Sequence, residues 1–168
     1  MSGYRLAERV ALGGRTTFGV PATAPWLIEV DDTAIHLLAK APLATELRLI
    51  TVAMKISQNL ERVGDEAVGI AKRAVRLAAE PPLKPYIDIP RMTSMALEML
   101  RDALDAYVRR DVTLAHAVLN EDDTLDSLKT QVFRELLTYM MEDSGHITPC
   151  THLIFIAKNI ERIGDHTT

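Results

Sequence analysis

Two copies of one acidic motif are the residues of this sequence best suited to chemistry. Glu-Arg-(Val/Ile)-Gly-Asp occurs at residues 61–65 and again at residues 161–165. In each copy the two acids are four residues apart, so on a helix both carboxylates project from the same face. Carboxylate oxygens bind hard and borderline cations, and a bound cation relieves the repulsion between clustered acids. The motif therefore indicates metal binding, with a solvated helix face as the plainer alternative.

A third acidic pair precedes the second motif. Asp122 and Asp126 are also four residues apart, at the edge of an apolar stripe with helical spacing. At about 100° per residue, Glu161 and Asp165 point away from the apolar side of their own helix. We therefore expect these four carboxylates, from two neighbouring antiparallel helices, to meet on one surface.

Motifs of known catalytic chemistry are missing from the sequence. Neither His152 nor His166 completes a Glu-x-x-His, the pattern of ferritin-like di-iron oxidases. The phosphate-binding loops G-x-x-x-x-G-K-[ST] and G-x-G-x-x-G and the nucleophile elbow G-x-S-x-G are also missing. Nothing in the sequence therefore supports nucleotide hydrolysis or acyl transfer.

An internal repeat predicts the elements that position the acids. A shift of 100 residues aligns segment 51–65 with segment 151–165, and seven of the 15 positions are identical. Such self-similarity indicates two copies of one supersecondary unit. The predicted fold is all-α, with two repeats of a three-helix bundle of which the first is incomplete. Gly64 and Gly164 interrupt the repeated helices, which predicts close approach by a neighbouring helix.

Glycine and proline divide the chain. Residues 1–31 are predicted to be irregular, residues 32–80 to form the partial first repeat, and residues 81–90 to form a linker. The second repeat is expected at residues 91–168, with Thr93 and Asp111 as helix N-caps and the last helix cut short.

Composition narrows the class of protein. The chain has 168 residues, a formal net charge of −4 and one cysteine, Cys150. Its charge argues against nucleic-acid binding, and a single cysteine suits a reducing compartment. No apolar run approaches the roughly 20 residues of a membrane span. We expect a cytoplasmic protein.

These segments resemble the PhoU family, the phosphate-specific transport system accessory proteins. The resemblance rests on NLERVGDEAVGIAKRA and IAKNIERIGDHTT, with support from APLATELR and MMEDSGHITPCTHL, and covers roughly residues 32–168. It implies a non-enzymatic protein that acts as a negative regulator of the phosphate-starvation response and of phosphate uptake. It also implies two partners, the ATPase subunit of a phosphate ABC transporter and a sensor histidine kinase, and a homodimer that meets the membrane only through partners.

The resemblance also implies a metal site, because some family members hold multinuclear iron or zinc clusters on Glu/Asp-x-x-x-Asp motifs. Carried over, the ligands are Glu61, Asp65, Asp122, Asp126, Glu161 and Asp165. The 100-residue offset places Ala22 and Trp26 where the first repeat would carry the counterpart of the middle acidic pair, so one site is incomplete. Compared with the family, the chain looks truncated at both ends. The alternative interpretation is a carboxylate-bridged metal-binding bundle with a storage or oxidase role.

Overall fold

The computed structural model describes residues 25–41, 43–79, 81, 83 and 86–168. The described part is helical and contains no strand, which confirms the all-α prediction. None of its helices is both long and apolar enough to cross a bilayer. The helices are α1 (Pro25–Leu38), α2 (Ala44–Leu77), α3 (Asp88–Arg109), α4 (Val112–Glu142) and α5 (Ile147–Asp165), with a 3₁₀ turn at Ser144–His146 between α4 and α5.

The hydrophobic core lies in the second repeat, where α3, α4 and α5 pack against one another. Helix α4 buries apolar residues three, four or seven positions apart, which is the spacing of one helix face. Cys150 is buried in the same core, as a small apolar residue would be. The largest fully buried side chains are Met92, Met99, Leu125, Val132, Leu136, Cys150 and Ile160.

Within the described residues, the first repeat contributes α1 and α2, which pack on each other. Helix α2 also packs along α5 and places Val63, Ile70 and Leu77 against the core of the second repeat. Other apolar residues of this pair face outward: Ile35 is 62% exposed and Leu43 is 77% exposed. The described part of this repeat has two helices, which cannot enclose a core between them, and this explains the exposure.

Helix α1 begins at Pro25, so the predicted irregular segment is wrong for residues 25–31. Residues 1–24 lie outside the described part of the chain. Proline does not break the chain here, because it suits the first position of a helix, where no backbone N–H donor is needed.

Helix α3 begins at Asp88, so the predicted linker is wrong for residues 88–90. Pro90 is tolerated there because it lies in the first turn. Thr93 is not an N-cap but an internal residue whose hydroxyl donates to the Ile89 carbonyl at 2.8 Å. The prediction of Asp111 as the N-cap of α4 is confirmed by its carboxylate, which accepts from the Leu114 backbone N–H at 3.0 Å.

Candidate functional site

The two copies of the acidic motif lie on α2 and α5, and these helices run antiparallel in contact. An ion pair joins Glu66 Oε1 to Arg162 Nε at 3.1 Å. Two turns further along α2, the Arg73 guanidinium lies 4.4 Å from the centre of the Phe155 ring. The residue numbers rise along α2 as they fall along α5, so the repeated helices pair with opposite directions.

Asn159 fills the middle of this interface. With its amide nitrogen turned toward α2, Asn159 donates to Glu66 Oε2 at 3.2 Å and to the Phe155 carbonyl at 3.1 Å. Opposite it, Gly69 leaves room for the amide, because a Cβ at this position would collide with the Asn159 side chain. Sequence reasoning missed Gly69, although a glycine inside a long helix is a signal of close contact.

Acidic residues of α4 and α5 come together on one side of the second repeat. Burial raises the pKa of Asp122, and the negative charges of Asp165, Asp126 and Asp123 raise it further. Burial likewise raises the pKa of Glu161, with Asp165 adding to the effect. The four carboxylates that the spacing indicated are therefore close enough to influence one another, while their role as metal ligands stays a prediction.

A lysine lies inside this acidic cluster, which we define as Asp122, Asp126, Glu161 and Asp165. Lys129 Nζ donates to Glu161 Oε1 at 2.7 Å and to Asp126 Oδ1 at 3.1 Å, and so bridges α5 and α4. The hydrogen bond to Glu161 is the largest cause of the raised pKa of Lys129. Sequence reasoning missed Lys129, although its position three residues after Asp126 places it on the same helix face.

The arrangement fits an ammonium group and does not fit a multinuclear metal cluster. Within the described residues, no three histidine, cysteine, aspartate or glutamate side chains are grouped so that they could hold a metal ion. The Lys129 ammonium takes the position between carboxylates that a cation would need. In the first repeat Glu61 is partly buried and Asp65 is exposed, and none of the residues that the structure describes gives them a third ligand.

Gly164 confirms the predicted close approach of a neighbouring helix. A Cβ on Gly164 would lie 2.5 Å from Leu125 Cδ2 and 3.4 Å from Asp122 Oδ1, so α4 packs directly against the α5 backbone. At Gly64 the described residues show no such neighbour, because none of their atoms outside the surrounding turns of α2 lies within 4 Å of such a Cβ. Within the described residues, only the second repeat places a middle helix against the glycine of its motif.

Paired antiparallel copies of one motif-bearing helix, joined to a three-helix bundle, define a class of duplicated all-α proteins. The family model described as "PhoU domain" matches residues 28–74 and 89–168. This chain therefore belongs to the PhoU family, as its sequence motifs indicated.

Individual relatives agree with this assignment. The chain is 49% identical to the phosphate-specific transport system accessory protein PhoU homolog of Zymomonas mobilis, over 84% of this chain and 60% of the relative. It is 44% identical to the protein of the same name from Rhizobium meliloti, over 83% of this chain and 60% of the relative. The crystal structure of PhoU from Pseudomonas aeruginosa matches with a TM-score of 0.80 and 37% identity, over 84% of this chain and 68% of that chain. The chain thus spans about three fifths of the length of these curated relatives.

Proposed function

We propose that this protein is a negative regulator of the phosphate-starvation response and of phosphate uptake. The observation that carries the proposal is the family match over residues 28–74 and 89–168, together with relatives named phosphate-specific transport system accessory proteins. In this proposal the protein is a cytoplasmic, non-enzymatic homodimer. It acts as an adaptor between the ATPase subunit of a phosphate ABC transporter and a sensor histidine kinase.

The packing of the second repeat supports an adaptor role. Its three helices enclose a continuous core, and the Lys129 bridge fixes α4 to α5. A rigid bundle of this kind presents its helix faces in a fixed geometry, which lowers the entropic cost of binding a partner. Large apolar side chains on those faces remain exposed, among them Phe133 and Leu137.

A phosphate-responsive reporter tests the regulatory proposal. We expect deletion of the gene to switch the reporter on in high phosphate, and the reintroduced 168-residue chain to restore repression. Unchanged expression after deletion, in both high and low phosphate, would contradict the proposal.

Copurification tests the adaptor proposal. Tagged protein should retain the transporter ATPase subunit and the cytoplasmic part of the sensor kinase, each in a separate experiment. A protein that regulates the reporter but retains neither partner would be a regulator of another kind.

A second candidate function is a carboxylate-bridged metal-binding bundle with a storage or oxidase role. The convergence of acids from α4 and α5 favours it, whereas the Lys129 ammonium among those acids weighs against it. Oxygen consumption by iron-loaded protein separates the two candidates. Turnover would support the oxidase role, and its absence with no retained iron would leave the adaptor proposal.

A further inference from the structure

The side of the second repeat that faces away from α3 carries an open groove between α4 and α5. The groove has a volume of about 340 Å³. Its apolar part is formed by Phe133, Ile154 and Ala157, and Phe133 remains 44% exposed. Leu137, one helical turn beyond Phe133, extends the same face and is 39% exposed. Exposed large apolar side chains in a row mark a surface for binding another protein.

Of the acidic cluster, Glu161 lines the groove together with Lys129 and Lys158. The three aspartates of the cluster lie beyond the lining, toward the N-terminus of α4 and the C-terminus of α5, and Lys129 neutralises only part of the cluster. Lys129 pairs with Glu161 and Asp126. Asp122 and Asp165 form no salt bridge with any described residue. A ligand that covers this end must therefore bring a positive charge, since burying unpaired carboxylates is costly.

Helix α3 is an example of an amphipathic helix that packs its apolar face against both α4 and α5. It lies against α4 and α5 from the core side and buries Met92, Ala96, Met99 and Ala106, which are spaced as one helix face. The outer groove is bounded by the same two helices. On α4 the groove is lined from Lys129 to Phe133. The helix face that carries it, from Asp122 to Leu137, is about 22 Å long at about 1.5 Å per residue, which is four turns of a helix.

We infer that the outer α4–α5 groove binds an amphipathic helix of a partner protein, with its apolar face on Phe133 and Ile154 and with arginine or lysine at the end over Asp122 and Asp165. This inference rests on the proposed adaptor role and names the surface through which it works. Helices laid into apolar grooves are a common mode of peptide recognition. The acidic end fixes the direction of the bound helix, because the reverse orientation would leave both aspartates without a cation.

A designed pair of 20-residue peptides tests the inference without knowledge of the partner. Both peptides carry leucine at the spacing of Met92, Ala96, Met99 and Ala106, and one ends in three arginines whereas the other ends in three glutamates. We expect fluorescence anisotropy to show at least tenfold tighter binding of the arginine peptide. Equal binding of the two peptides, or no binding of either, would overturn the inference.

Matched variants locate the binding surface. Phe133→Ser should weaken binding of the arginine peptide at least tenfold, whereas Leu97→Ser on α3, equally exposed at 45%, should change it less than twofold. Asp122→Asn should weaken binding of the arginine peptide and leave binding of the glutamate peptide unchanged. Glu142→Gln, near the far end of α4, is the control for this variant. Binding that survives Phe133→Ser would overturn the inference, as would self-association that Phe133→Ser abolishes, because the occupant would then be a second copy.

The reporter and copurification experiments distinguish this inference from the proposed function. If wild-type protein retains neither the transporter ATPase subunit nor the sensor kinase, the adaptor role is overturned. Peptide binding would still test the groove in that case. Retention of both partners by the Phe133→Ser variant would overturn the groove as the docking surface and leave the adaptor role intact.

Discussion

Gly64 and Gly164 occupy equivalent positions of the repeated helix, yet only Gly164 lies against another helix in the described structure. Gly64 is exposed, so Gly64→Ala should stabilise the fold by about 0.5–1 kcal/mol through helix propensity. Gly164→Ala should destabilise it by about 1–3 kcal/mol, because its Cβ would press on the buried Leu125. Thermal unfolding of both variants measures the difference.

The two substitutions should change the free energy of unfolding in opposite directions. Losses of stability at both positions would mean that Gly64 also packs closely against part of the protein. A double variant, Gly164→Ala with Leu125→Val, provides a control, because a smaller side chain at position 125 should recover part of the loss.

Lys129→Met should lower the free energy of unfolding by about 1–2 kcal/mol at pH 7. The variant keeps a side chain of similar length but leaves Glu161, whose side chain is only 14% exposed, without its cation. The measurement is denaturant unfolding. Arg109→Met is the control, because the Arg109–Asp105 contact is exposed at 3.7 Å and should contribute less than about 0.5 kcal/mol.

Metal-induced stabilisation should also depend on Lys129. In wild-type protein the ammonium competes with a divalent cation for Glu161 and Asp126, so Mn²⁺ or Zn²⁺ should raise the melting temperature little. In Lys129→Met the rise should be several-fold larger, and it should disappear when Glu161→Gln is added. A large metal-dependent rise in wild-type protein would show that Lys129 does not exclude the cation.

Asp122→Asn should raise stability at neutral pH by about 0.5 kcal/mol, or about 1–2 °C in melting temperature, by removing repulsion from the other aspartates. The pKa of Asp122 is raised in the folded state from its ordinary value of 3.8, chiefly by burial. A raised pKa means that the folded state binds the proton more tightly. The associated stability is therefore complete below pH 3.8 and is lost as pH rises through the folded-state pKa.

The gain from Asp122→Asn should accordingly vanish in acid. Metal-free melting curves of wild-type protein and variant, from pH 3 to pH 7, should converge at the acid end. A gain that is constant with pH would assign the effect to helix propensity and not to charge.

Glu66→Gln should destabilise the contact between α2 and α5 by about 1 kcal/mol. Glu66 accepts from Arg162 and Asn159, and its side chain is only 13% exposed. Urea unfolding monitors the loss, and Asp105→Asn is the exposed control. An equal effect of the two substitutions would show that the partly buried pair contributes no more than a surface ion pair.

Much of this fold follows from periodicity and repetition. The apolar stripe of α4 and the N-cap at Asp111 depend on local rules, and both agree with the structure. Two of the differences fall at prolines: the sequence predicts irregular chain at Pro25 and a linker at Pro90, whereas each lies in the first turn of a helix. A proline at the start of a helix and a proline after its end look alike until the direction of the chain is known.

The acidic cluster was predictable in part. Spacing placed the acids on helix faces, and the antiparallel connection of α4 to α5 brought those faces together. The role of Lys129 was not predictable, because its contact with Glu161 spans 32 residues and depends on the rotation of each helix about its axis. Such rotation is set by core packing and leaves no short-range signal in the sequence.

The antiparallel contact between α2 and α5 has the geometry of an interface between identical subunits, in which one patch meets its own copy across a two-fold axis. The 100-residue offset relates Glu66 to His166 and Arg162 to Arg62. The symmetric counterpart of the Glu66–Arg162 ion pair is therefore the pair of Arg62 and His166. Histidine at position 166 breaks that symmetry, so the ionic contact is made on one side only. In a homodimer a single substitution appears in both subunits and therefore on both sides of the axis. In this single chain different residues form the two sides, so each side can be inherited, altered and selected separately.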